Sequence, residues 1–166
     1  MPPTSEQQDE HPAHSAQAPD DGPATTLHLL LPVEWVSPSI ARDRVRHWLR
    51  AHECSPAHVD ELVLAVSEAV SNSIEHGYGV APESAEQLTD PPGVIEFDAE
   101  VVTGDDGRRV EFTIADKGRW LDPSPVKGCR GHGLTIIRAC ADEVRIDGGA
   151  GGTVLFLRSR PIPPPL

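Results

Sequence analysis

Four short groups of residues in this 166-residue chain carry side chains or backbone suited to chemistry. Glu68 and Asn72 are four apart within an apolar-periodic stretch, so on a helix they stack on one face. An amide oxygen is a hard, neutral ligand suited to Mg²⁺, which keeps waters and also takes phosphate oxygens. A carboxylate beside it could orient or deprotonate an attacking hydroxyl. Ile114-Ala115-Asp116-Lys117-Gly118 ends an alternating run in an acid, with a glycine two residues on. An ionised Asp is a pure acceptor and can take a hydrogen bond from the exocyclic amine of adenine. Gly118 lets the backbone come close to a planar base. Arg130-Gly131-His132-Gly133-Leu134 opens a helix, and its glycines bare backbone N–H groups where the helix dipole favours an anion. Gly152-Thr153, on the final strand, adds a hydroxyl that could reach the base. Taken singly, each group also has a structural reading: a solvated helix face, a strand-to-turn exit, a hinge before a helix, a β-branched strand residue. The chain has neither a Walker A sequence nor a Rossmann fingerprint.

The elements that must position these groups follow from periodicity and punctuation. Thr26–Leu31 reads as a strand. Ser37-Pro38 is an N-cap followed by a first-turn proline, and the helix behind it carries Ala41, Val45, Trp48 and Leu49 on one face. Ser55-Pro56 repeats that signal, opening a longer helix to about His76 with Gly77 as its stop. Val59, Leu62, Val63, Val66, Val70 and Ile74 give this helix an apolar stripe; Glu68 and Asn72 lie opposite its middle with Glu61, Ala65 and His76. Residues 81–93 are a polar loop. From Val94 the period becomes two, with Ile95, Phe97, Ala99 and Val101 facing one way. After a turn at Asp105-Asp106-Gly107, Val110, Phe112 and Ile114 alternate with Glu111 and Thr113, so the two runs pair as antiparallel strands with one covered face. A helix over Leu134–Ala141, a strand at Val144 and Ile146, a turn at Gly148–Gly152 and a strand at Thr153–Leu157 complete the pattern. This order predicts an α+β two-layer sandwich, a mostly antiparallel sheet covered on one face by helices.

Composition narrows the classes of function. Fourteen basic against 26 acidic residues give a formal charge of -12. Residues 1–25 hold five of the acids and no Lys or Arg, and the remainder is still acidic. Direct nucleic-acid or anionic-membrane binding needs a basic footprint, which this balance argues against. Residues 1–25, rich in Pro, Gln, Ser, Asp and His, read as a disordered tail, because they cannot offset their ordering entropy by burial. Residues 26–160 form the domain and residues 161–166 an extended Pro-rich tail. Three widely spaced cysteines, Cys54, Cys129 and Cys140, with no secretory signal and no long apolar run, predict a cytoplasmic chain.

The order of the four groups resembles one superfamily, the histidine-kinase-like ATPases with their Bergerat-type ATP-binding fold. Their pattern is an N box, two glycine boxes and a closing threonine. Within it the chain is most similar to the short anti-sigma factor serine kinases. The segments that carry the likeness are Leu64–Tyr78, Gly131–Arg138 and Asp142-Glu143-Val144, within about residues 26–158. The resemblance implies that Asn72 binds the Mg²⁺ bridging the phosphates of ATP and that Glu68 is the catalytic base or a water-orienting residue. It implies that Asp116 binds the adenine amine above Gly118 with support from Thr153. Gly131 and Gly133 would contact phosphates, with His132 and Leu134 in the same box, and Arg130 could reach the γ-phosphate. Members of the family dimerise, hold a sigma factor and phosphorylate a serine on an anti-anti-sigma (STAS-type) protein. One departure stands out: Trp120 occupies the place of the second glycine in the usual D-x-G-x-G, and the lid, Arg119–Arg130, is short. An ATP-binding regulator with little phosphate transfer is the alternative this departure leaves open. The catalytic half of a histidine kinase would need an upstream helical pair bearing a phosphoacceptor His, which residues 1–25 cannot form.

Overall fold

The computed structural model describes residues 22–80, 93–119 and 132–163. In chain order the elements are β1 (Thr26–Pro32), α1 (Ser37–Ala51), α2 (Pro56–Asn72), a single π-helical turn (Ser73–Gly77), β2 (Val94–Gly104), β3 (Gly107–Asp116), α3 (Gly133–Cys140), β4 (Glu143–Gly149) and β5 (Gly152–Arg158). The five strands form one antiparallel sheet in the order β1-β2-β3-β5-β4. The α+β class, the order of elements and the covered sheet face are those the sequence predicts.

Period-two patterning sets which sheet face is buried. Ile95, Phe97 and Ala99 on β2, Val110, Phe112 and Ile114 on β3, and Leu155 and Leu157 on β5 all point into the core. The alternating positions Glu96, Asp98, Glu100 and Val154 are exposed on the other face. Phe97 and Phe112 meet at a tilt, with ring centroids 5.9 Å apart. The helices cover this apolar face. Val59, Leu62, Val63, Val66 and Val70 of α2, Ile74 behind it, and Ala41, Val45 and Leu49 of α1 are all buried in the same cluster.

Three details depart from expectation. Ser37 does not cap α1; Val36 is the N-cap, and the buried Ser37 hydroxyl instead donates to the Pro32 carbonyl at 2.6 Å. That carbonyl ends a strand, so a neighbouring hydroxyl is a better partner for it than none. Ser55, by contrast, caps α2 as expected, accepting from the His58 N–H. Second, the helix does not run in one register to His76; after Asn72 it widens into a π turn ending at Gly77. Third, the face of α2 bearing Glu68 and Asn72 is not solvated throughout, because Ala65 is fully buried and α3 packs against α2.

The ends of the domain are pinned. The Ala24 carbonyl accepts from Trp48 Nε1 at 2.9 Å and from His52 Nε2 at 3.0 Å. Ile162, placed by sequence in the Pro-rich tail, is buried, and its N–H donates to the Arg108 carbonyl at 2.7 Å. Residues 1–21 and 164–166 lie outside the described residues. No helix among the described residues is long and apolar enough to cross a membrane.

Phe112 is fully buried where the central strand meets the helical layer, so Phe112→Ala is expected to cost about 3–5 kcal/mol. Val154→Thr, on the open face of the sheet, is expected to change stability by less than about 0.5 kcal/mol. Urea unfolding of both variants checks the contrast, and equal losses would refute the assignment of faces.

Candidate functional site

The alternation that buries Val110, Phe112 and Ile114 carries on to Asp116 and places its carboxylate on the core face of the sheet. The same rule on β5 places Thr153 beside Leu155 and Leu157. Asp116 and Thr153 are direct cross-strand partners, so an acid and a hydroxyl sit side by side under the helices. Asp116 is only 7% exposed and Thr153 only 5%. Burial pushes the Asp116 pKa above the ordinary aspartate value. Hydrogen bonds from Ser73 and from the backbone N–H groups of Gly118 and Thr153 pull partly the other way. The Gly118 N–H donates to Asp116 Oδ1 at 3.0 Å. The Thr153 hydroxyl is buried without a hydrogen-bond partner among the described residues. A buried, unpaired hydroxyl costs about 1–3 kcal/mol, so its presence beside a buried acid is a feature that stability alone does not explain.

Three glycines make room around Asp116. A Cβ at Gly118 would overlap the Gly77 carbonyl group, and one at Gly152 would overlap the Asp116 carbonyl oxygen. Gly152 also has φ +126°, a conformation in which a side chain is strained. A Cβ at Gly77 would lie 3.0 Å from Asp116 Oδ1. The end of the π turn after α2, the exit of β3 and the start of β5 therefore meet backbone to backbone.

Along α2 the second part of the site begins. Glu68 and Asn72 are both half-buried. Gly133, the first residue of α3, lies over them: a Cβ there would stand 3.1 Å from Asn72 Oδ1 and 3.2 Å from Glu68 Oε2. The N-terminus of α3, where N–H groups lack intrahelical partners, is thus brought to the carboxylate and amide. His132 is the N-cap of α3 and exposed, and Leu134 packs against the core. Arg130, Gly131 and Trp120, singled out by sequence, lie outside the described residues, as do Lys127 and Cys129.

The structure thus brings Asp116, Gly118 and Thr153 together at one end and Glu68, Asn72 and Gly133 at the other, with the π turn between Asn72 and Gly77 joining them. Sequence reasoning missed Ser73 and the steric duty of Gly77. The sequence marks Gly77 as a helix stop, and its second role depends on β3, 39 residues further on at Asp116. Tyr78 was also missed; its hydroxyl accepts from the Lys117 N–H at 3.2 Å.

Comparisons with known proteins identify the family to which this α+β sandwich belongs. The model of the histidine kinase-like ATPase domain family matches residues 34–159, and the chain belongs to that family. It is 26% identical over 123 residues to an anti-sigma F factor of Clostridium novyi (strain NT), covering 74% of this chain and 85% of that one. It is 32% identical over 102 residues to the serine-protein kinase RsbW of Bacillus licheniformis, covering 58% of this chain and 61% of that one. A solved structure of the RsbU and RsbW domains of Rv1364c from Mycobacterium tuberculosis superposes with a TM-score of 0.59 at 28% identity. That match covers 84% of this chain and 33% of the solved one.

The raised pKa of Asp116 has a consequence for stability. The folded state holds this proton more tightly than the unfolded state, so the contribution of the group is fully present below the ordinary aspartate pKa and is lost as pH rises through the raised value. Asp116→Asn removes the titration. Urea unfolding is expected to show the parent losing stability relative to Asp116→Asn as pH climbs above the ordinary aspartate range. A constant difference across that range would refute the assignment.

Proposed function

We propose that this chain is an ATP-binding, anti-sigma-type serine/threonine-protein kinase that phosphorylates an anti-anti-sigma (STAS-type) partner and sequesters a sigma factor. The observation that carries the nucleotide half is the buried pair of Asp116 and the unpartnered Thr153 hydroxyl. One offers a lone pair and the other a proton. The amino edge of adenine offers the complementary donor and acceptor. Gly118 packs against the Gly77 backbone, and this contact fixes the turn from which Asp116 would meet the base.

The phosphates then fall to the other end of the site. The α3 N-terminus, beginning at Gly133, supplies unsatisfied N–H groups and the positive end of a dipole. Arg130, Gly131 and His132, with Leu134 anchoring the helix, complete this phosphate-binding box in our reading. The Asn72 side-chain oxygen, beside the Glu68 carboxylate and facing the same helix end, fits a Mg²⁺ ion that shares its other ligands with phosphate oxygens and water. Bound there, Mg²⁺ would neutralise charge on the triphosphate.

Chemistry in such a site is mostly positioning and charge neutralisation. Glu68 accepts the proton of a partner serine as its oxygen attacks the γ-phosphorus. The bond from that phosphorus to the β-phosphate oxygen breaks, and ADP leaves. We also infer a cytoplasmic homodimer. The acidic surface suits protein partners with basic faces rather than nucleic acid or membrane.

Trp120 in the place of the second glycine of D-x-G-x-G, with the short lid, favours a second reading, an ATP-binding anti-sigma module with little transfer activity. One assay separates them. Mixed with radiolabelled ATP, Mg²⁺ and a panel of STAS-type domains, the parent is expected to label a partner serine. Glu68→Ala is expected to lower the rate about 10²–10⁴-fold while nucleotide binding is retained. Sigma binding with no label on any partner would overturn the kinase reading in favour of the module. Asn72→Ala is expected to abolish the Mg²⁺-dependent tightening of ATP binding, and unchanged tightening would remove Asn72 as the metal ligand.

A further inference from the structure

We propose that Tyr78 is a positioning residue for nucleobase selection, acting through the turn that carries Asp116; the inference rests on the reading of Asp116 as the adenine acceptor. Residues 77 and 78 grip residues 116–118 at two points. The Gly77 backbone lies against Gly118 and against the Asp116 carboxylate. The next residue, Tyr78, takes the Lys117 N–H on its hydroxyl at 3.2 Å. The following N–H, that of Gly118, is held at 3.0 Å by Asp116 Oδ1. Two successive amides of the turn are therefore pinned, one by the phenol and one by the carboxylate itself.

The phenol is well braced for this duty. Its ring is half-buried and packs against the hydrophobic core. Gly93, the residue before β2, leaves room for the hydroxyl, since a Cβ there would stand 2.6 Å from it. The Gly93 carbonyl in turn accepts from Val33 N–H at 3.0 Å, which ties this point to the end of β1. Lys117 itself is exposed, so its amide has water as an alternative partner, and the tether to Tyr78 adds little to overall stability. Its effect is to limit the rocking of the β3 exit. Asp116 leads that exit, and its carboxylate must present a fixed lone pair to discriminate an amino group from a carbonyl. Losing the tether blurs that choice while leaving the α3 and Asn72 end untouched.

The experiment is calorimetric titration of ATP and GTP, each with Mg²⁺, into the parent, Tyr78→Phe and Gly93→Ala. Tyr78→Phe deletes the hydroxyl and keeps the ring; Gly93→Ala displaces the hydroxyl and keeps it. The parent is expected to prefer ATP. Each variant is expected to shrink the ATP-to-GTP affinity ratio about three- to tenfold, the worth of one neutral hydrogen bond. The Mg²⁺-dependent tightening is expected to stay at the parental level. A ratio equal to the parent's in the variants overturns the role of Tyr78, even where both nucleotides bind more weakly, because uniform weakening is what a merely structural residue would give. Should Tyr78→Phe fail to fold, Gly93→Ala decides alone. A parent with no preference for ATP is a different failure: it overturns the adenine role of Asp116, and the inference with it.

Discussion

Asp116 is a carboxylate held on the core face of a sheet, and much of the site's construction answers to the cost of keeping it there. A buried charge without partners is expensive, and so is a buried hydroxyl without a partner. The chain meets the first cost with hydrogen bonds from Ser73 and from the Gly118 and Thr153 backbone, and leaves the second standing at Thr153. To bring those donors close, three backbone segments must approach until no side chain fits between them, hence glycine at 77, 118 and 152. The π turn follows from the same demand. It lets the end of α2 turn Ser73 and Gly77 towards β3 after the α-helical stretch has presented Glu68 and Asn72 towards α3. Single π turns within helices are rare and recur at functional sites.

The two ends of the site are thereby built on different supports. The Asp116 end rests on β3 and β5, which are paired residue for residue from Glu111 to Asp116. The Glu68 and Asn72 end rests on α2, a helix with eight of its 17 residues buried. Between the described parts of α3 and β3 runs the segment that carries Trp120 and Arg130. Ion pairs contribute elsewhere. Arg109 with Asp142 and Arg158 with Glu111 and Glu143 link β3, β4 and β5 on partly exposed surface, where such pairs are worth roughly 0–1 kcal/mol.

Much of this was legible in the sequence, and for local reasons. Period-two runs at 94–101 and 110–114, the apolar stripe of the helix after Pro56 and the Ser-Pro starts each depend on a few neighbouring residues, so strands and helices could be read without the fold. The class of sandwich followed from their order. Spacing alone placed Glu68 and Asn72 on one helical face, and alternation alone places Asp116 and Thr153 on the core side of their strands.

What the sequence by itself determined, then, was the set of elements and the order in which the functional groups occur. The tertiary structure decided which groups meet. That Asp116 faces Thr153 depends on the antiparallel register of β3 with β5, fixed by pairing across 37 residues of chain. That Gly77 is more than a helix stop, that Tyr78 reaches Lys117 and that Gly133 lies over Asn72 all depend on contacts between segments far apart in sequence. A glycine or a tyrosine in isolation carries no mark of what will pack against it. Close approach of two backbones is a property of the folded pair, and only there does the missing Cβ at Gly118 acquire its reason.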